Sequence, residues 1–196
     1  MADSLHGQYD QQVDMTHIRQ KSSRMFFALW PSAAERIALA SWQPYLHELL
    51  GGRVMQPNTL HVTLVFLGLV VENRLEALQL AAQEVDFQPF DLRLTEVHYW
   101  EHNRIVYAAP EVIPARLAAL VDQLTAKLSN HCFNFDRRSY KPHVTLLRNA
   151  KWSDPALPIQ PEACWKINKF VLVQSKGDEQ GPCYEVLACF PAKSDS

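Results

Sequence analysis

No stretch of this chain approaches the ~20 consecutive apolar residues that a membrane-crossing helix needs, although 47% of its 196 residues are hydrophobic. The opening residues lack the charged, apolar, small-residue order of an export signal. There is no excess of positive charge either. The formal charge is −2, so a surface that grips long nucleic acid through many lysines and arginines is not expected; a short ligand, or the end of a strand, remains open. The four cysteines, Cys132, Cys164, Cys183 and Cys189, show no C-x-x-C spacing and no histidines at zinc-site intervals. They are expected to be reduced and packed, in a cytoplasmic protein without membrane contact. The nucleophile elbow of a Ser-His hydrolase is also missing.

What the chain does have is one tetrapeptide written twice. His61-Val62-Thr63-Leu64 and His143-Val144-Thr145-Leu146 lie about 80 residues apart. Each begins at the second position of a run that reads as a strand, Leu60 to Leu67 and Lys141 or Pro142 to Arg148. Alternate strand side chains share a face, so each His lies with its Thr while Val and Leu point the other way. Val62, Leu64 and Phe66, and Val144 with Leu146, are therefore expected in the core. Two such strands side by side would set two imidazoles and two hydroxyls around one small anion.

The rest of the chain frames these strands. Residues 1–23 are polar and aperiodic and are expected to form a mobile extension. The apolar run Met25 to Trp30 reads as a strand stopped by Pro31. Ser32 is placed to cap a helix running toward Leu50 and ended by Gly51-Gly52. The first motif strand is expected to close at Gly68. A helix over Glu72 to Val85, a strand over Phe90 to Trp100, a turn at His102-Asn103 and a strand over Arg104 to Ala109 follow. A helix from about Pro114 to Leu128, the second motif strand, a connection with Pro155, Pro158 and Pro161, and strands near 169–175 and 184–190 complete the order. Strand, helix and motif strand are thus met twice, in an α+β chain with helices outside antiparallel sheets. At 196 residues the chain can hold one domain or two small lobes sharing a core.

These residues resemble the two-histidine phosphoesterase superfamily, marked by one H-x-[T/S]-x motif per lobe. Within it the likeness is to the bacterial RNA 2′,3′-cyclic phosphodiesterase family, also called 2′-5′ RNA ligase-like. The matching segments are Arg24-Met25-Phe26-Phe27-Ala28, Asn58 to Gly68 around the first motif, and Lys141 to Arg148 around the second. Arg104 to Tyr107, Ser175, Gly181 and Tyr184 match more loosely. The resemblance implies a single bilobal α+β domain over 24–190, followed by a short tail at 191–196, with two pseudo-symmetric lobes and a cleft between them. It also implies action as a monomer on RNA 2′,3′-cyclic phosphate ends or small cyclic nucleotides, giving a 2′-phosphomonoester, with a reverse 2′-5′ joining activity. Two departures bear on substrate choice. The loop Ser175 to Pro182 is more acidic than the basic loop of bacterial relatives, and Tyr107 stands where tryptophan is often found.

Opening a cyclic phosphate needs a base for water on one side of phosphorus and an acid for the departing oxygen on the other. Histidine, with an ordinary pKa near ~6.5, serves either role. Thr63 and Thr145 can donate to the non-bridging oxygens, each for about 3 kcal/mol in the transition state. Two histidines without a carboxylate make an incomplete zinc site, so neither metal nor cofactor is expected. By resemblance His61 is the acid, His143 the base and Arg148 a phosphate partner. Strand parity, however, puts Arg148 on the Val144 face unless the strand bends. His47, His98, His102 and His131 are read as structural or solvent-facing. A nucleotide- or RNA-end-binding module without turnover is the main alternative, and a phosphodiesterase for another small cyclic phosphate the next.

Overall fold

The run from Met25 to Trp30 is apolar without alternation because both of its faces are covered. In the computed structural model, which describes residues 21–152, 162–178 and 181–193, this run lies in strand β1 (Ser22–Leu29), between two neighbours in a four-stranded antiparallel sheet. Met25, Phe27 and Leu29 enter the main core on the helix side. Phe26 and Ala28 face the opposite way and join Val171, Val173, Trp30 and Tyr184 in a smaller cluster.

After β1 come helices α1 (Ala33–Ala40) and α2 (Gln43–Leu50), then strands β2 (Arg53–Val54) and β3 (Val62–Val71), and helix α3 (Leu75–Gln83). Strands β4 (Phe90–Leu94), β5 (Glu96–Trp100) and β6 (Ile105–Ala109) precede helix α4 (Ala115–Asn130). Strands β7 (Val144–Arg148), β8 (Ala163–Ile167), β9 (Lys169–Asp178) and β10 (Gly181–Pro191) follow. The first sheet has the order β10-β9-β1-β3, the second β2-β7-β6-β5, and β4 pairs with β8 alone. In the first sheet β1, two helices and β3 make one unit; in the second β6, α4 and β7 repeat it. The two motif strands thus occupy matching places in two lobes. The β4–β8 pair, with Leu92 opposite Trp165 and both fully buried, leads into both: β4 runs on to β5, β8 to β9.

Several expectations change in detail. The single helix from Ser32 to Leu50 is two, parted at Ser41-Trp42. Its start is as read: Ser32 and Glu35 form a reciprocal capping box, an arrangement that contributes about 1 kcal/mol. Strand β3 does not stop at Gly68 but passes through it, at φ +72°, to Val71. The segment Phe90 to Trp100 breaks at Thr95 into two strands of different sheets. Strands β2 and β8 were not anticipated. The helix over Glu72 to Val85 opens as a short 3-10 turn, Glu72–Arg74, and is α-helical only from Leu75. The four cysteines are free but exposed, not packed; Cys164, between buried Ala163 and Trp165, takes the outward side of β8. Most of the N-terminal extension and the Pro155–Pro161 connection lie outside the described residues, and β1 already begins at Ser22. Among the described residues no helix is long and apolar enough to cross a membrane.

Candidate active site

Each motif histidine sits one residue ahead of its strand, and its own chain grips it. His61 Nδ1 is 2.7 Å from the Thr59 carbonyl, and His143 Nδ1 is 2.8 Å from the Lys141 carbonyl. A carbonyl only accepts, so in both rings Nδ1 carries the proton and donates it. In the neutral ring Nε2 is then the free base, and the bond through Nδ1 fixes tautomer and orientation. Local sequence sets up both contacts. Pro57–Thr59 form a 3-10 turn closed by Thr59 Oγ1 donating to Gln56 O at 2.7 Å, with Leu60 buried behind it. Pro142 is also buried and biases Lys141 toward an extended backbone.

Beyond the histidines both motif strands bulge at the same place. On β3, Ala28 faces Thr63 and Phe27 faces Val65, leaving Leu64 as the extra residue. On β7, Tyr107 faces Thr145 and Val106 faces Leu147, leaving Leu146 extra. An inserted residue reverses the parity of everything after it. Leu64 and Val65 are both buried, as are Leu146 and Leu147. Phe66 and Arg148 therefore return to the face of the His and the Thr. This answers the parity objection to Arg148 and corrects the expectation for Phe66: it is 39% exposed and lines the cleft, not the core.

The cleft between the sheets has a volume of about 260 Å³. His61, Thr63, His143, Thr145 and Arg148 all line it, together with Arg24, Phe26, Met55, Thr59, Phe66, Ser175 and Tyr184. All five residues expected from the motifs are brought together. Arg53 lies opposite Arg148 in the β2–β7 ladder. Among the described residues no ion pair involves Arg24, Arg53 or Arg148, and Arg24 and Arg148 bring positive charge to the cleft despite the chain's net −2. His98 instead pairs with Glu96, and His131 with Glu84.

Aromatic rings pack round both histidines, unequally. His61 stacks on Phe26 and Trp30, with centroids at 5.1 and 5.3 Å, and meets the edge of Tyr184 at 5.1 Å. His143 meets Trp100 at 4.5 Å and Tyr107 at 5.7 Å, both edge-on. Burial pushes His61 down to about 4; the Thr59 carbonyl opposes the shift, while His143 and Arg148 add to it. His143 is lowered as well, chiefly by burial and against the Lys141 bond, with Arg148 assisting. Both rings thus rest neutral. Sequence reasoning overlooked Trp30, Arg53, Met55 and Trp100, since none lies in a motif.

Comparison with known proteins agrees with this architecture. The family model described as the 2′-5′ RNA ligase superfamily matches residues 29–179. The RNA 2′,3′-cyclic phosphodiesterase of Escherichia coli K12 is 29% identical over 153 residues, 78% of this chain and 86% of that one. The protein of the same description from Thermus thermophilus is 28% identical over 182 residues, 88% and 91% of the two chains. The crystal structure of E. coli LigT complexed with 3′-AMP superposes with a TM-score of 0.81 at 26% identity, covering 89% of this chain and all of that one. LigT complexed with phosphate gives 0.77 at 25%, covering 89% and 99%. With two H-x-T-x motifs facing one cleft and a family match across most of its length, the chain belongs to the 2′-5′ RNA ligase superfamily of two-histidine phosphoesterases.

Proposed function

We propose that this protein hydrolyses the 2′,3′-cyclic phosphate at RNA ends or on nucleotides to a 2′-phosphomonoester, by general acid and base catalysis without a metal. The observation that carries the reading is the pair of Nδ1-anchored histidines on one arginine-rich cleft. Water attacks phosphorus, giving its proton to His143 Nε2; the P–O3′ bond breaks and O3′ takes a proton from His61. Thr63, Thr145 and Arg148 hold the non-bridging oxygens. With a 5′-hydroxyl in place of water as the nucleophile, the same steps open the cyclic phosphate and join the two ends through a 2′-5′ bond. A divalent cation would find two imidazoles, no carboxylate and several guanidiniums, a poor donor set. The site is complete within one chain, which supports action as a monomer by one bilobal domain over residues 24–190. Exposed free thiols suit the reducing cytoplasm.

The test is incubation with nucleoside 2′,3′-cyclic phosphates in EDTA and identification of the isomer formed. Undiminished release of the 2′-phosphate is expected. The 3′ isomer would mean the other bond breaks, loss in EDTA would mean a metal acts, and tight binding without turnover would make the protein a binding module.

The stronger burial of His61 favours a second assignment, in which the ring most firmly neutral is the base and His143 the acid. Against it, the stacked faces of Phe26 and Trp30 support an imidazolium once an anion has entered, which suits His61 as the acid. A substrate with a much better leaving group needs little protonation. It is expected to rescue His61→Ala far more than His143→Ala, and rescue of His143→Ala alone would exchange the roles.

The lowered histidines also set the pH dependence. Free enzyme governs kcat/KM, so its bell is expected to centre below the ordinary histidine value of ~6.5. A bound phosphate's negative charge favours both protonated rings and should move the kcat bell to higher pH. Steady-state rates between pH 4 and 9 read both curves; a kcat/KM maximum above neutrality would contradict the desolvated resting state.

A further inference from the structure

Gln43, in the first turn of α2, is only 3% exposed and bonds to a strand 103 residues away in sequence. Its Nε2 donates to the Met55 carbonyl at 2.8 Å and to the Leu146 carbonyl at 3.1 Å. Both partners only accept, which settles the amide's orientation. The Leu146 carbonyl also accepts Met55 N–H at 3.0 Å. Leu146 is the extra residue of the β7 bulge, the irregularity that turns Arg148 into the cleft. An extra residue is left unpaired in its ladder, here the one with β6, and the Leu146 carbonyl instead takes two donors from outside that ladder, the Met55 N–H and the Gln43 amide.

The pseudo-symmetric lobe supplies an internal control. At the matching bulge on β3 the extra residue is Leu64, and no side chain among the described residues donates to its carbonyl. That bulge presents Phe66, an uncharged ring. The tether occurs where a bulge has to aim a guanidinium on a long, rotatable stem. Two further contacts secure the same stretch: Arg104 donates to the Asn149 and Ala150 carbonyls, and Gly52, at φ +86°, lies so near the Arg148 carbonyl that a Cβ there would come within 2.6 Å.

We infer that Gln43 is a positioning residue: by clipping Met55, one residue past β2, to the β7 bulge, it keeps Arg148 and the facing Arg53 in register with the two histidines. The inference rests on the phosphate role proposed above for Arg148. Gln43→Met keeps the side chain's length and removes both donors. It should lower kcat/KM about tenfold in the otherwise natural enzyme, but less than about twofold when Arg148 is already Ala, because residues acting through one another couple. The pH limits set by the histidines should stay where they are. Equal losses in both backgrounds would indicate general structural damage and overturn the inference for Gln43 alone. A normal kcat/KM for Arg148→Ala would instead overturn the phosphate role, and this inference with it. If Gln43→Met does not fold, the natural protein carries the test. The Gln43 side-chain NH2 resonances should shift when inorganic phosphate is added, and should not do so in Arg148→Ala. No shift in the natural protein overturns the proposal.

Discussion

Replacing His61 or His143 with Ala should lower kcat by about 10²- to 10⁴-fold, the range a positioned acid or base contributes. The double variant should lose little more than the worse single one. The argument rests on the shared cleft: each ring is fixed through Nδ1 by the carbonyl two residues back, which in the proposed mechanism leaves both Nε2 atoms to serve one phosphorus. When either proton transfer fails, the other has no concerted step to assist, and residues that work as a unit are strongly non-additive. Single-turnover rates on a nucleoside 2′,3′-cyclic phosphate measure this directly. Strictly additive losses, or turnover persisting in the double variant, would place the chemistry elsewhere.

Arg148→Ala should cost about 10²- to 10³-fold in kcat/KM, the scale of a lost preorganised donor to developing oxyanion charge. Arg148→Lys should recover only part of it, since an ammonium keeps the charge and loses the planar fork. Product inhibition by the 2′-phosphate should weaken alongside, because the same oxygens are held before and after the bond breaks. The β7 bulge is what makes this expectation possible, as an unbroken strand would bury residue 148 behind Val144. A loss smaller than about threefold would reduce Arg148 to a solvated strand end.

Much of this site was legible in the sequence because a strand's period of two is a rigid rule. His and Thr two apart must share a face, and two copies made one anion site the economical reading. Bulges break the same rule. Their trace was present: in each copy the apolar-polar alternation fails at the same step, Leu64-Val65 and Leu146-Leu147, so Phe66 and Arg148 exchange faces with what strict alternation gives. Strand β8 carried its own signal, since Ala163, Trp165 and Ile167 alternate with Cys164 and Lys166, but the proline-rich stretch before it drew the reading toward a loop. The same alternation would have placed Cys164 outside. The aromatic surroundings of the histidines had no local signal, because Trp30 and Trp100 reach the rings only through sheet packing between distant segments.

The strand order has a consequence for how the protein is made. Strand β1 is the earliest described element, yet one of its two ladder partners is β9, about 150 residues later. Until β9 has been synthesised, β1 keeps an open edge whose Phe26 and Ala28 face lacks the Val171 and Val173 that cover it. Such an edge is a template for mispairing with other chains, and closure over so long a loop is slow compared with local helix formation. From the synthesis of β3 until that of β9 the nascent chain therefore carries this apolar strand half-covered. A ribosome-bound chain arrested before Lys169 should bind a holdase chaperone through the segment around Met25 to Trp30, and release it once β9 and β10 have emerged.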